Sequence, residues 1–284
     1  MPPAAWEAAR QVRASLRPRE HGWAVAEGGK RAFDKSGTEW DTAAVAAAYE
    51  RRWPLFERVR GSAVPPVFAS EEETLTFDPE TDLPSASTIF RHNSILGLVY
   101  GITRASKQRG CLKMLDWGGG VGHQYGLVRS LLPDLRLDYT CFDLPVSVRL
   151  GSKRFPDARF TSDFTCLNEE YDLIVANGSL HYFKEWQDVV RQFLASSKGF
   201  IFITMLPVLL DADSCVMIQQ WSNVDGTRYA EPEWFISRDE LMQLGGSKPW
   251  RLERELVCGY SPQVPGSPAK ADYRGFLFER VNAP

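Results

Sequence analysis

The chain has 284 residues, 44% of them hydrophobic and 24% charged, with a net charge of -3. That is room for one large domain, or one domain with an added module, of ordinary globular composition. The slightly acidic balance gives no broad basic surface for nucleic acid, and no stretch approaches the roughly 18 uninterrupted apolar residues of a membrane span.

The five cysteines are scattered and contain no C-x-x-C pair, which points to reduced thiols rather than a zinc site or a disulfide frame. The first residues, "MPPAAWEAARQVRASLRPRE", lack the apolar core of a secretory signal, so a cytoplasmic protein is expected.

Residues 1–86 read as an N-terminal helical region. In "WDTAAVAAAYERRWPLFERVR", Val45, Tyr49, Trp53, Phe56 and Val59 recur at helical spacing, with Asp41 as N-cap. Pro54 is expected to kink or split that helix. Trp53 and Phe56 are candidates for self-association as a homodimer. "GSAVPPVFASEEETLTFDPETDLPSAS" reads as a long surface connection.

A second domain is expected over residues 87–284. "STIFRHNSILGLVYGITRAS" reads as a lead-in helix burying Ile89, Ile95, Leu96, Val99 and Ile102. From residue 110, strands and helices alternate. "CLKMLDWG", "RLDYTCFD", "ARFTSDF", "YDLIVANGSL" and "KGFIFITML" are strands. "GHQYGLVRSLLP", "LPVSVRLGSKRF" and "EWQDVVRQFLASS" are helices, the second with Pro145 in its first turn. Ser237 and Glu240 fit a capping box. "RLERELV" and "YRGFLFERV" then read as an antiparallel hairpin. The fold expected is α/β: a Rossmann-like, seven-stranded, mostly parallel sheet with a C-terminal antiparallel hairpin and an N-terminal helical lid.

The stretch "LDWGGGVGHQY" decides the ligand class. A dinucleotide fingerprint needs G-x-G-x-x-G, but the third glycine falls on His123 or Tyr125 in the two registers. A phosphate loop needs a lysine that is absent here. What is present is acid-x-G-x-G-x-G: Asp116, Gly118, Gly120 and Gly122, with Gly119 between them. A second acid, Asp143, ends the next strand, where a ribose diol is held in such folds.

These residues resemble the class I S-adenosylmethionine-dependent methyltransferases over about residues 110–280. "DLP", "SDF" and "LHYF" are similar to motifs of small-molecule O-methyltransferases. "LDWGGGVGHQY" with its lead-in helix is also similar to a bacterial group of methyltransferases of unsettled substrate. The resemblance implies S-adenosyl-L-methionine as cofactor. It places Asp116 and the glycine turn at the amino-acid part, Asp143 at the ribose, Leu144, Asp163 and Phe164 at the adenine, and Asn177 and Gly178 in the loop over the methionine part. It implies methyl transfer to a small-molecule or glycan acceptor, with a hydroxyl as the favoured acceptor group. The same fold running another reaction, or an NAD(P)-dependent oxidoreductase, are the alternatives.

Of the four histidines, His181 is the candidate general base, with support of the cofactor loop as its other reading. Such a base would titrate near 6.5. His92 is a candidate substrate contact from the lead-in helix. His123 opens a helix, and His21 reads as a loop residue. Trp221, Tyr229, Trp234 and Phe235 line an acceptor pocket or form a satellite core. Asp211, Asp213 and Asp225 match no metal-ligand pattern, and no metal is expected.

Overall fold

The computed structural model describes residues 22–34, 42–60, 86–107, 110–222 and 228–281. Asp41, His21 and Asp225 lie outside the described residues, as do the side chains of Trp221 and Tyr229. The chain enters as strand β1 (Gly22–Val25) and a 3-10 turn (Gly29–Asp34), followed by helices α1 (Ala43–Arg60) and α2 (Ala86–Ser106). The alternating region runs β2 (Leu112–Trp117), α3 (His123–Leu131), β3 (Leu137–Phe142), α4 (Pro145–Arg154) and β4 (Arg159–Thr161). It continues through β5 (Tyr171–Asn177), α5 (Trp186–Ser196) and β6 (Ser197–Leu209). A hairpin of β7 (Cys215–Ser222) and β8 (Arg228–Ser237), helix α6 (Arg238–Gly245), and strands β9 (Trp250–Val257) and β10 (Ala271–Arg280) complete it.

The expected seven strands stand in the order β4-β3-β2-β5-β6-β10-β9. Strands β2 to β6 are parallel, whereas β10 runs antiparallel to both β6 and β9. The chain steps outward from β2 to β3 and β4, then crosses back to lay β5 on the other side of β2. That reversal opens a crevice at the carboxyl ends of β2 and β5, where open parallel sheets take their ligands.

The sheet is wider than the seven strands read from the sequence. Strand β6 outruns β5, and its end pairs in parallel with β8 through Val208 and Leu209. Strand β8 pairs with β7, and β7 with β1, both antiparallel. The N-terminal region therefore contributes a strand to the sheet. Trp234 packs against Phe33 with ring centroids 5.9 Å apart, and Phe235 is fully buried beside Met217 and Leu209. Both serve packing under this extension.

Helices cover both faces. On one, Ile95, Leu98, Ile102 and Ala105 of α2 lie on Met114, Leu173 and Phe202 of the sheet. On the other, Trp186, Val190 and Phe193 of α5 join Leu241 of α6 over Trp117, Ile174 and Ile201.

Three local expectations are corrected. The buried stripe of α2 is rotated, leaving Ile89 41% and Leu96 55% exposed, because Gly97 and Gly101 turn the backbone itself toward the Phe202 ring. Helix α1 runs unbroken through Pro54, held by the packing of Trp53 and Phe56 around it. Those two rings also pack on His123, at 5.3 and 4.9 Å, and Phe56 is only 3% exposed, so Phe56 is turned into the chain and not toward its surface. The capping box does not form: Glu240 Oε1 accepts from the Ser214 backbone N–H at 2.9 Å, and the Ser237 N–H donates to Ser214 Oγ at 2.8 Å. The start of α6 is thus tied to the turn before β7.

Candidate functional site

Buried β2 delivers the chain to the crevice and must turn sharply into α3. Gly118 adopts φ 74°, a left-handed conformation unfavourable for other residues, and a side chain there would collide with Ser179. Gly120 adopts φ 61°, and a Cβ at that point would first meet the Tyr49 hydroxyl at 3.4 Å. Its backbone is therefore bare on the side that faces the cleft. Gly119 sits on the carboxylate of Asp116, and Gly122 caps the start of α3.

Asp116 is wholly buried under this turn. Its carboxylate accepts hydrogen bonds from Gln124 Nε2 at 2.9 Å and from the Tyr139 hydroxyl. Burial, with a smaller push from Asp143, raises its pKa to about 7. Its place in the structure is as a support beneath the glycines. A carboxyl whose folded pKa lies above its unfolded value contributes stability that is complete below the unfolded pKa of 3.8 and is lost as pH rises through about 7. Asp116→Asn is therefore expected to melt higher than the wild type at pH 8, with the gap closing toward pH 4. Melting curves with a gap independent of pH would contradict this.

Asp143 follows β3 and ties two turns together. Its Oδ2 accepts from the Gly120 N–H and its Oδ1 from the Leu144 N–H, each at 2.7 Å. Leu144 is 41% exposed and Phe164 54% exposed, a high value for such large apolar side chains. The Phe164 ring leans on Phe142 and Trp117 at 4.8 and 5.5 Å. Exposed Asp163 caps the 3-10 turn Phe164–Asn168 by accepting from the Thr165 N–H, which lowers its pKa.

Facing the glycine turn, β5 ends at Asn177 and Gly178, and a second 3-10 turn (Leu180–Tyr182) carries His181. Between them lies a cleft of about 550 Å³. Gly118, Gly119, Gly120, Asn177 and Gly178 form its floor. Tyr49 of α1, Phe90 and Ser94 of α2, and His123 of α3 border one side. Trp23, His181, Tyr182, Gln219, Tyr260 and Tyr273 border the other. Among the described residues no lysine, arginine, aspartate or glutamate lines it. Met205 also lines it with φ 50°, an uncommon conformation for a residue with a side chain, where β6 leaves β5 behind.

His181 is 3% exposed, and burial pushes its pKa down to about 3, so its imidazole is neutral near pH 7. The ordinary histidine titration near 6.5 expected from the sequence is thereby corrected. Its Nε2 lies 3.6 Å from Oε2 of Glu233, a fully buried acid on β8 whose pKa burial raises to about 8.

The structure brings Gly118, Gly119, Gly120, Asn177, Gly178 and His181 to one cleft, with Asp143 bonded to its floor. It does not bring His92 there: that side chain is exposed on α2, two residues from Phe90 and Ser94, which do line the cleft. Trp234 lies in the core and donates from its ring nitrogen to the Lys184 carbonyl at 3.2 Å. Trp221 and Tyr229 are paired backbone to backbone across β7 and β8. Sequence reasoning passed over Trp23, Met205, Gln219, Glu233, Tyr260 and Tyr273, which come from distant segments. The one local signal was the alternation in "RYAEPEWFIS", which sets Glu231 and Glu233 on the same face of a strand as buried neighbours.

No protein-family model matches the chain, and no curated protein matches it. Among solved structures, it is similar to an S-adenosylmethionine-dependent methyltransferase from Clostridium acetobutylicum at 11% identity, over 67% of this chain and 92% of that one, with a TM-score of 0.46. It is similar to magnesium protoporphyrin IX methyltransferase from Synechocystis with bound SAM at 10% identity, over 84% and 96% of the two chains, with a TM-score of 0.46. It is also similar to the O-methyltransferase of a trans-AT PKS multienzyme of Brevibacillus brevis, in complex with S-adenosyl-L-homocysteine, at 11% identity over 69% and 74%, with a TM-score of 0.48.

Proposed function

We propose that the chain binds S-adenosylmethionine in the crevice above β2 and β5 and catalyses transfer of its methyl group to a hydroxyl of a small molecule. The observation that carries this reading is the bond from the Gly120 N–H to the Asp143 carboxylate. It joins a bare glycine backbone to an acid that ends the neighbouring strand, at the point where the strand order reverses.

The residues present fit an adenosyl group with an amino-acid tail. The uncovered backbone of Gly118 to Gly120 and the facing Asn177 and Gly178 would receive the tail. Asp143 would accept from two ribose hydroxyls, and the exposed faces of Leu144 and Phe164 would take the adenine, with Asp163 beside its amine. Bound there, the cofactor supplies a methyl group on a sulfonium, whose leaving group is neutral. The protein is left to align the acceptor, exclude water and take up one proton. The rings of Trp23, Phe90, Tyr182, Tyr260 and Tyr273 give the acceptor an apolar enclosure without fixed charge. His181, neutral and at the cleft wall, is the group available to accept the hydroxyl proton.

Residues 1–86 act as a lid on the domain of residues 87–284. Tyr49 borders the cleft, and α1 is pinned to α4 by Glu50 with Arg154 at 3.3 Å and by the Arg154 guanidinium 4.5 Å above the Trp53 ring. Removal of residues 1–86 is expected to abolish turnover, and a soluble, fully active truncation would refute the lid. The reaction itself is tested by incubating the enzyme with methyl-labelled S-adenosylmethionine and a panel of hydroxylated small molecules. Mass spectrometry is expected to show a labelled methyl ether together with S-adenosylhomocysteine. Cofactor consumption with the label in no acceptor would favour another reaction on the same fold, such as cyclisation.

A further inference from the structure

One wall of the cleft comes from outside the seven-stranded core. The antiparallel pairing of β1, β7 and β8 sets Trp23 directly opposite Gln219, and Gln219 directly opposite Glu231. Residues directly opposite one another share a face of the sheet, so Trp23 and Gln219 stand side by side, and both line the cleft. The Tyr182 hydroxyl donates to Gln219 Oε1 at 3.2 Å. With its oxygen engaged, the half-buried amide has its two N–H donors left for the cleft, and among the described residues nothing accepts from them. Trp23 is also one end of a run of neighbouring rings that line the cleft. Tyr260 lies 6.4 Å from Trp23, Phe90 lies 5.6 Å from Tyr260, and Tyr273 lies 5.2 Å from Phe90, the last pair edge to face.

We propose that Gln219 is a specificity-determining residue, and that the acceptor is an uncharged, flat, ring-bearing molecule whose carbonyl oxygen accepts from the Gln219 amide. The proposal rests on reading the cleft as a methyl-transfer site. Three observations select this class. The run of rings presents faces and edges against which another flat ring packs in offset or edge-to-face contact. No lysine, arginine, aspartate or glutamate among the described residues lines the cleft, so a carboxylate, phosphate or ammonium on the acceptor would lose its water without gaining a counter-ion. Two polar side chains of the lining are already committed, Gln219 Oε1 to Tyr182 and the Ser94 hydroxyl to Asn177 Oδ1 at 3.4 Å. A sugar, with hydroxyls on every side, would therefore find fewer partners here than it has in water.

A carbonyl next to the rings is what the amide N–H can read without a charge on either partner. Such a bond also discriminates: a site built to hydrogen-bond one group rejects the analogue that lacks it, because the donor is then left unpaired. The extension formed by β1, β7 and β8 thus supplies both a ring and a donor to the acceptor, while the glycine turn and the end of β5 are left to the cofactor.

The test measures binding of four probes to the full-length protein in the presence of S-adenosylhomocysteine. They are a hydroxyxanthone, the matching hydroxyxanthene without the ketone, the same hydroxyxanthone bearing a carboxylate, and methyl glucoside. Wild type is compared with Gln219→Leu and with Gln219→Glu, which keeps an oxygen for Tyr182 but presents no N–H. In the wild type the hydroxyxanthone is expected to bind at least about tenfold tighter than the hydroxyxanthene or the carboxylate probe, the worth of about one hydrogen bond, and methyl glucoside not to saturate. In both variants the preference for the ketone is expected to vanish, with S-adenosylhomocysteine affinity unchanged as the check that each is folded. A wild type with no ketone preference, tighter binding of the carboxylate probe, saturable binding of methyl glucoside, or a folded variant that keeps the preference overturns the proposal. So does a wild type that binds S-adenosylhomocysteine and none of the probes. Failure of the wild type to bind S-adenosylhomocysteine overturns instead the reading on which the proposal rests.

Discussion

Asp143→Ala is expected to weaken S-adenosylhomocysteine binding by about a hundredfold while leaving the fold intact. Two ribose hydroxyls donating to one carboxylate make charge-assisted bonds worth roughly 1.5–3 kcal/mol each, and even the lower figure twice over is about a hundredfold in affinity. The fold is expected to survive because Asp143 is only half-buried and lies at the rim of the sheet, where it bonds backbone N–H groups of Gly120 and Leu144. Calorimetry with matched circular dichroism checks this. An unchanged dissociation constant in a folded variant would remove Asp143 from the ribose site.

His181→Gln is expected to lower kcat at least about a hundredfold with cofactor affinity nearly unchanged, since general-base help is typically worth 10²–10⁴-fold. The rate of the wild type should show no inflection near pH 6.5, because burial holds the imidazole neutral down to about pH 3. If His181 only shaped the turn after β5, the same substitution would weaken S-adenosylhomocysteine binding and lower kcat modestly. Measuring both quantities on one preparation separates the two roles. Full activity with unchanged affinity would exclude both.

The parts of the fold that could be read from the chain are those governed by local rules. The glycine spacing after Asp116 demanded a turn with left-handed residues, and Gly118, Gly120 and Gly122 all have positive φ. Pro145 stands at the start of α4, and the hairpin of β9 and β10 follows the two apolar runs at the C-terminus. The parts that stayed hidden depend on distant partners. Strand β1 has four residues and is defined by its pairing with β7. In β8 the acids and Pro232 disguise a strand, although Glu231 and Glu233 point inward. Helix α2 shows the limit of periodicity: counting apolar residues selected Ile89 and Leu96, whereas the close approach of Gly97 and Gly101 to Phe202 sets the buried face. The floor of the cleft came from two short motifs, the glycine turn at Gly118–Gly120 and the end of β5 at Asn177 and Gly178, and each could be named. Its walls are assembled from β1, α1, α2, β7 and the segment leading into β10, which no short window contains.

On the proposed reading, the crevice above β2 and β5 takes an adenosyl group carrying an amino acid and not a dinucleotide. Isothermal titration of the full-length protein with S-adenosylhomocysteine and, separately, with NADH tests it most directly. Saturable binding of S-adenosylhomocysteine at micromolar concentration and none of NADH is the expected result. Tight binding of NADH with no heat from S-adenosylhomocysteine would contradict it.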